Sequence, residues 1–411
     1  MSENEKTELT RELQDRSHDI DGHPIGLASV KQSARRIRRR RRIASGAVAA
    51  AVLALAVPTA LAVANGTNRS ADPVAPSPSP SPSPSPSPTQ TAEPRPDGTF
   101  VLTTEDLERG DDPRVSYISA KQRELVTPDA TIAMSAVYQA VAPYDGGWLA
   151  VGTGPSGYEI VTLDAAGEVT GTTPGGPSLV TSDDGSRVGY VEVDPGSGRS
   201  TLVSAPSDGS AVTTWPMPPD REVSVVGFLD RDRVVYQTDG VKQIIGVARA
   251  DGRTTALEGF LRVTAASEAN GLVAGMVSFA DQGACWGVMD PAVSSTELVW
   301  RTCDYSLRSF SPDGRFIVAG DAYDDALGEP MLAILDAGTS DPVVEYTQGR
   351  RGQAEIIEAV WEDDDSLLAT VLGGRSWTML RANTSGGLEE VVDPVPADSL
   401  DLPFWFASGR Q

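Results

Sequence analysis

Residue types that could do chemistry are scarce in this 411-residue chain, and their positions decide what it can host. The two histidines are His18 and His23, so nothing after residue 23 can use an imidazole. That excludes a Ser-His-Asp triad or a histidine-ligated metal from the rest of the chain. A GxSxG elbow and a P-loop are both absent. One GxGxxG match, Gly152, Gly154 and Gly157, has Pro155 inside it and a strand pattern after it. Without a helix N-terminus to receive a pyrophosphate, it reads as a turn. Lys121 and Lys242 are the two lysines after residue 31.

Carboxylates remain. They cluster at Asp111-Asp112, Asp183-Asp184, Asp324-Asp325 and residues 362–365 (EDDD). Paired carboxylates suit glycosidic chemistry or Ca2+. None of these clusters matches an EF-hand loop, and most read as solvated turn residues. No cofactor is expected, Ca2+ being the ion the acidic pairs could take. Arg109-Gly110-Asp111 spells an integrin tripeptide, a match that a chain with 40 glycines produces by chance. Cys285 and Cys303 are the two cysteines, 18 apart, with no CxxC spacing and no histidine nearby. In an oxidising compartment they are expected to form a disulfide rather than a metal or redox site.

The segments that carry these residues divide the chain into four. Residues 1–42 form a basic stub that ends in seven arginines, at 35, 36 and 38–42. Residues 43–64 are 22 uncharged positions. As a helix they would span roughly 33 Å, about the thickness of bilayer hydrocarbon. The arginines before the span place the N-terminus in the cytoplasm and the rest outside. Secretion after cleavage near Ala64 is the alternative, since Ala62-Val63-Ala64 has the small-x-small form. Residues 65–98 contain six Ser-Pro pairs and read as an extended polyproline II stalk. The net charge of −23 hides an asymmetry. The stub carries 11 Lys/Arg and 7 Asp/Glu, and everything after the span carries 23 and 50. An exported domain that acidic should bind no nucleic acid.

Residues 99–411 show short Val, Ile, Leu and Thr runs between Gly, Asp, Asn and Pro, the pattern of strands and turns. A pair of strands joined by an acidic turn recurs, its second strand opening at Trp148, Val188, Val234, Leu272, Phe316 and Leu367. The spacings are 40, 46, 38, 44 and 51 residues, and a four-stranded propeller blade takes about 40–45. The pattern ends in an orphan first strand at residues 402–407 (LPFWFA). Three N-terminal strands, 99–103, 114–119 and 123–127, could complete its blade and close the ring. The expected fold is therefore all-β: a seven-bladed β-propeller closed by both chain ends, with six blades as the alternative.

Residues 310–319 (FSPDGRFIVA) resemble the SPDG turn of the TolB-like and WD40-like propellers of bacterial envelopes, and residues 181–185 (TSDDG) are a looser copy. The resemblance implies a propeller in an exported setting and no particular substrate, because the turn is structural. The stub resembles those of bacterial membrane proteins encoded near alternative sigma factors, without the Cys/His zinc set some of them carry.

Together these features predict a monomeric, membrane-anchored binding or scaffolding module outside the cell, with an envelope protein or glycan as partner. Its candidate contacts are loops that look like inserts: Asp321, Tyr323, Asp324 and Asp325 in one, Gln282 in the other. A carboxylate-based glycan lyase or hydrolase, and a regulator signalling through the stub to a sigma factor, are the alternatives.

Overall fold

A computed structural model describes residues 99–155, 157–219, 221–239, 243–280, 283–322, 328–348, 354–397 and 401–407. The stub, the apolar span and the stalk lie outside these residues. Among the described residues there are strands and turns and no helix. The first four strands are β1 (Phe100–Leu102), β2 (Tyr117–Ser119), β3 (Glu124–Val126) and β4 (Thr131–Ala133). A longer run follows: β5 (Ala140–Tyr144), β6 (Gly147–Gly154), β7 (Gly157–Leu163), β8 (Val169–Thr181), β9 (Arg187–Val193), β10 (Ser200–Pro206) and β11 (Thr213–Pro216). Next come β12 (Val223–Asp230), β13 (Arg233–Thr238), β14 (Ile244–Arg249) and β15 (Thr254–Ala256), then β16 (Arg262–Ala266), β17 (Val273–Ala280), β18 (Gly283–Met289) and β19 (Trp300–Thr302). The last set is β20 (Tyr305–Phe310), β21 (Phe316–Asp321), β22 (Met331–Asp336), β23 (Pro342–Gln348), β24 (Ala354–Trp361), β25 (Ser366–Gly373), β26 (Ser376–Asn383), β27 (Leu388–Pro396) and β28 (Phe404–Phe406).

These strands build a β-propeller. Five sheets each contain one four-stranded antiparallel unit: β12–β15, β16–β19, β20–β23, β24–β27, and β28 with β2, β3 and β4. A seven-stranded sheet runs from β5 to β11, with the register broken inside β8 between Gly175 and Leu179. The first strands of successive units touch one another around the axis, from β5 through β8, β12, β16, β20 and β24 to β28. The ring shuts where Val141 of β5 donates its N–H to the Ala407 carbonyl, 2.8 Å away.

Why the second strands are nearly continuous apolar runs follows from this geometry. Each sheet is packed between two others, so both of its faces are buried and the period-2 alternation of a half-exposed strand is lost. In β25 the residues Leu367, Leu368, Ala369, Thr370 and Val371 are all buried. Leu367, Ala369 and Val371 face Val318, Ile334 and Tyr346 of the β20–β23 sheet, while Leu368 joins Phe404 and Phe406 on the other side. Truncating such a residue to alanine costs about 2–5 kcal/mol.

The turn motif does what its composition requires. Ser311 Oγ donates to Asp313 at 2.7 Å and accepts from the Phe316 N–H at 3.0 Å, while Asp313 accepts the Arg315 N–H at 3.0 Å. Gly314 completes the turn at φ +72°, a left-handed conformation that favours glycine. Ser182, Asp184 and Gly185 repeat the arrangement, with Gly185 at φ +67°.

The closure differs from expectation in one strand. The C-terminal strand pairs with the N-terminal ones as predicted, Tyr117 opposite Phe406. Residues 99–103, however, do not enter that sheet. β1 instead adds in parallel to β23, Phe100 opposite Tyr346, and residues 131–133 take the outer position. The reason is packing: the Phe100 and Tyr346 rings lie 5.8 Å apart, Phe100 fills the space beside Gly386, and Leu102 is buried with the neighbouring sheet.

Candidate functional site

Most residues singled out by type are used structurally. Cys285 on β18 and Cys303 just past β19 flank the register pair Trp286 and Thr302, and they form a disulfide. Asp111 and Asp112 offer carbonyls to Arg381 at 3.3 and 3.4 Å. Arg109 pairs with Asp393 at 2.8 Å, and Gly110 donates its N–H to the Glu390 carbonyl. The tripeptide is thus committed to holding the N-terminal segment against β27.

The cluster at residues 362–365 is not simply solvated, as its composition suggested. The Glu362 side chain is fully buried. It accepts from Arg381 at 2.9 Å and from the Arg114 N–H at 2.7 Å. Although burial alone would raise its pKa, these donors and the two guanidinium charges hold it below the ordinary glutamate range. Asp363 accepts from the N–H groups of Asp365 and Ser366 at 2.9 and 2.7 Å and also pairs with Arg114. This network fastens the segment between β1 and β2 to the β24–β25 turn. Of the predicted contact loops, Asp321 ends β21 opposite Tyr305 and is half-buried. Tyr323, Asp324, Asp325 and Gln282 lie outside the described residues.

A different set of residues converges on the axis. The first strands β8, β20, β24 and β28 surround a cavity of about 350 Å3. Its wall includes Asp183, Arg308, Ser309, Phe310, Glu358 and Trp361. Glu358 accepts the Phe406 N–H at 3.1 Å, and Trp361 Nε1 donates to the Ser309 carbonyl at 3.1 Å. Arg308 forms an ion pair with Glu329, which arrives from the β21–β22 connection. Two backbone hydrogen bonds with Ile356, 2.8 and 2.9 Å, fix Glu329 there. Gly320 lies beside it, and the Glu329 carboxylate occupies the space that a Cβ there would take.

At the mouth of the cavity, the Asp183 N–H donates to the Glu268 carboxylate at 3.0 Å, joining the turn after β8 to the turn after β16. The Asp183 carboxyl is solvent-accessible yet recessed among its neighbours. Burial, then the nearby Glu268 and Asp184 charges, push its pKa up to about 6. Burial also raises Glu268. Asp184, the next residue, is pulled down to about 2 by Ser186 and Ser182 hydrogen bonds. A shallower cavity of about 590 Å3 shares Ser182 and reaches Arg187, Arg231 and Glu268. Among the described residues no group of three or more Asp, Glu, His or Cys converges to hold a metal ion.

Arg308, Glu329 and Glu358 belong to none of the acidic clusters or motifs visible in the sequence. Their one legible mark is a charge inside an otherwise strand-like run, as in residues 305–310 (YSLRSF) and 354–361 (AEIIEAVW). The Asp183-Asp184 cluster was visible, but its opposed titration was not.

Fold and site define a β-propeller with a charged axial cavity. No family model matches the chain, and no curated protein matches it. Solved structures resemble it distantly. TolB from Acinetobacter baumannii aligns with 15% identity and a TM-score of 0.37, over 61% of this chain and 69% of that one. The β-propeller domain of the Trilobed protease from Pyrococcus furiosus aligns with 12% identity and a TM-score of 0.42, over 62% and 86%. YCF48 bound to D1 peptide aligns with 13% identity and a TM-score of 0.42, over 70% and 87%.

Proposed function

We propose that this protein is a membrane-anchored binding module, carried outside the cell on a Ser-Pro stalk, that recognises an envelope protein or glycan at the axial cavity and its mouth. Residues 43–64 would cross the membrane with the N-terminus inside, and the propeller would act as a monomer. We read the seven-stranded sheet as two blades that share β8, which makes seven blades with the last one closed by both chain ends. Seven apolar clusters among the described residues, each lying between two neighbouring four-stranded units, support that count.

The observation that carries the functional reading is the cavity of about 350 Å3, which falls within the range of small-ligand sites and brings three charged side chains from three different strands or turns to one place. Among the described residues, Glu362 and Asp363 are taken up by the seam with the N-terminal segment. The test is capture of envelope protein and glycan by the full-length chain in membranes, compared with Ser309→Trp, which obstructs the cavity. Retention lost in the variant is expected. Retention unchanged by the obstruction, or turnover of an envelope polysaccharide abolished by Asp183→Asn, would contradict a binding role for this cavity.

A further inference from the structure

The ring closes without β1. Closure runs through β28 and β2 and through the Val141 N–H on the Ala407 carbonyl, while β1 is a fifth strand on a complete four-stranded unit. Its place is an outer edge. Unpaired N–H and C=O groups along such an edge are a template for another extended chain. The outer strands β4, β11, β15 and β19 have only three or four residues, which limits that template, but β23 has seven and β27 has nine. The segment before β2 crosses those two long strands, with β1 on β23 and Arg109 beside Glu390 of β27.

β1 sits in a built pocket. Strand alternation puts Phe100 and Leu102 on one side of the segment. The Phe100 ring lies 5.8 Å from that of Tyr346 and takes up the space that a Cβ on Gly386 would need. Leu102, 3% exposed, joins the cluster of Val344, Tyr346 and Leu388. The pocket is held without β1, since the Tyr346 hydroxyl donates to the Asn383 carbonyl at 2.7 Å and so fixes the ring to the turn that carries Gly386. The occupant, by contrast, is held lightly. It makes three register pairs, and Leu102 is the one buried residue from 99 to 117. Residues 108–114 are fastened separately, by the Gly110 N–H on the Glu390 carbonyl and the Arg114 N–H on Glu362, so β1 can leave with the seam intact.

Main-chain pairing along an edge, with pockets for alternate side chains, is the strand-addition mode of peptide recognition. We propose that the outer edge of β23 is a strand-addition site for an extended segment of a partner protein, which β1 occupies in cis and such a segment displaces. The residues it now holds, 99–104 (TFVLTT), define what it takes: an uncharged segment with an aromatic residue followed two positions later by a branched aliphatic one. The site uses none of the residues that line the axial cavity, so it stands or falls independently of the reading above.

The experiment uses the full-length protein, a capped fluorescent peptide of residues 99–104 (TFVLTT), and a control peptide with serine in place of Phe100 and Leu102. In the full-length chain carrying Phe100→Ser and Leu102→Ser, β1 no longer competes from an effective concentration on the order of millimolar. Fluorescence anisotropy should show that variant binding the probe at least about tenfold tighter than the parent does, and not binding the control. The parent supplies a measurement free of any substitution, which decides the matter if the variant does not fold. Excess probe should speed deuterium uptake by residues 99–102 while Tyr346 and Thr347 stay protected. Probe and control bound equally, no gain of affinity in a folded variant, or uptake at residues 99–102 unchanged by excess probe would overturn the proposal. A parent found as a dimer that the probe converts to monomers would put a second copy in the site instead of a partner protein, and would overturn it too.

Discussion

Two turns in this propeller carry adjacent carboxylates at the same place in the repeat, and they behave in opposite ways. At the β24–β25 turn, Glu362 and Asp363 meet Arg381 and Arg114, and both acids are held below their ordinary range. At the β8–β9 turn, burial and then the Glu268 and Asp184 charges push Asp183 up to about 6. Composition does not separate the two, since SDDGS and EDDDS both look like acidic turns. Partners separate them. The first turn borders the seam where the N-terminal segment returns, and its acids receive cations from that segment and from β26. The second turn borders the axis, and there Asp184 is met by Ser182 and Ser186 while Asp183 is recessed beside Glu268. A carboxylate fully supplied with donors holds structure together, whereas one recessed beside like charges keeps its proton to higher pH.

The largest expected effect breaks the first side of the comparison. Glu362→Gln keeps the shape but leaves Arg381, only 12% exposed, without its buried counter-charge. Removing one partner of a buried pair costs about 3–5 kcal/mol. Urea denaturation monitored by tryptophan fluorescence should show that loss. A loss below about 1 kcal/mol would mean the seam network is ornamental. The effect should also grow weaker in acid, because Glu362 ionised below its ordinary range contributes stability that is present above the unfolded value and is lost as pH falls.

A smaller effect of opposite sign sharpens the second side. Asp183 has a folded pKa above its unfolded one, so the folded state binds the extra proton. Its ionisation therefore removes stability as pH rises from about 4 to about 6. Asp183→Asn should be more stable than the parent at pH 8 and equal to it near pH 4. Because the side chain is solvent-accessible, the gain should stay under about 1 kcal/mol. Melting curves of both proteins across that range provide the check, and a variant less stable than the parent at pH 8 would remove the repulsion from the account of the mouth.

The fold was largely legible because it is written as a repeat. The second strands predicted at Trp148, Val188, Val234, Leu272, Phe316 and Leu367 begin within one residue of β6, β9, β13, β17, β21 and β25. The disulfide was legible because hairpin geometry opposes residues on either side of a turn near Pro291. The path of residues 99–103 was not, because a three-residue apolar strand fits any open edge, and the choice of β23 depends on Tyr346 and Gly386, more than 240 positions away. The axial cavity was hidden for a related reason. Asp183, Arg308 and Glu358 are separated by 125 and 50 positions, and only ring closure brings their strands together. The stub and the apolar span belong to the proposal rather than to the described fold.

The most direct test of the central claim is an NMR titration of the Asp183 side-chain carboxyl in selectively labelled full-length protein. A midpoint near 6 is the predicted result. A midpoint near 4 would contradict the recessed, acid-flanked setting that separates this turn from the β24–β25 turn.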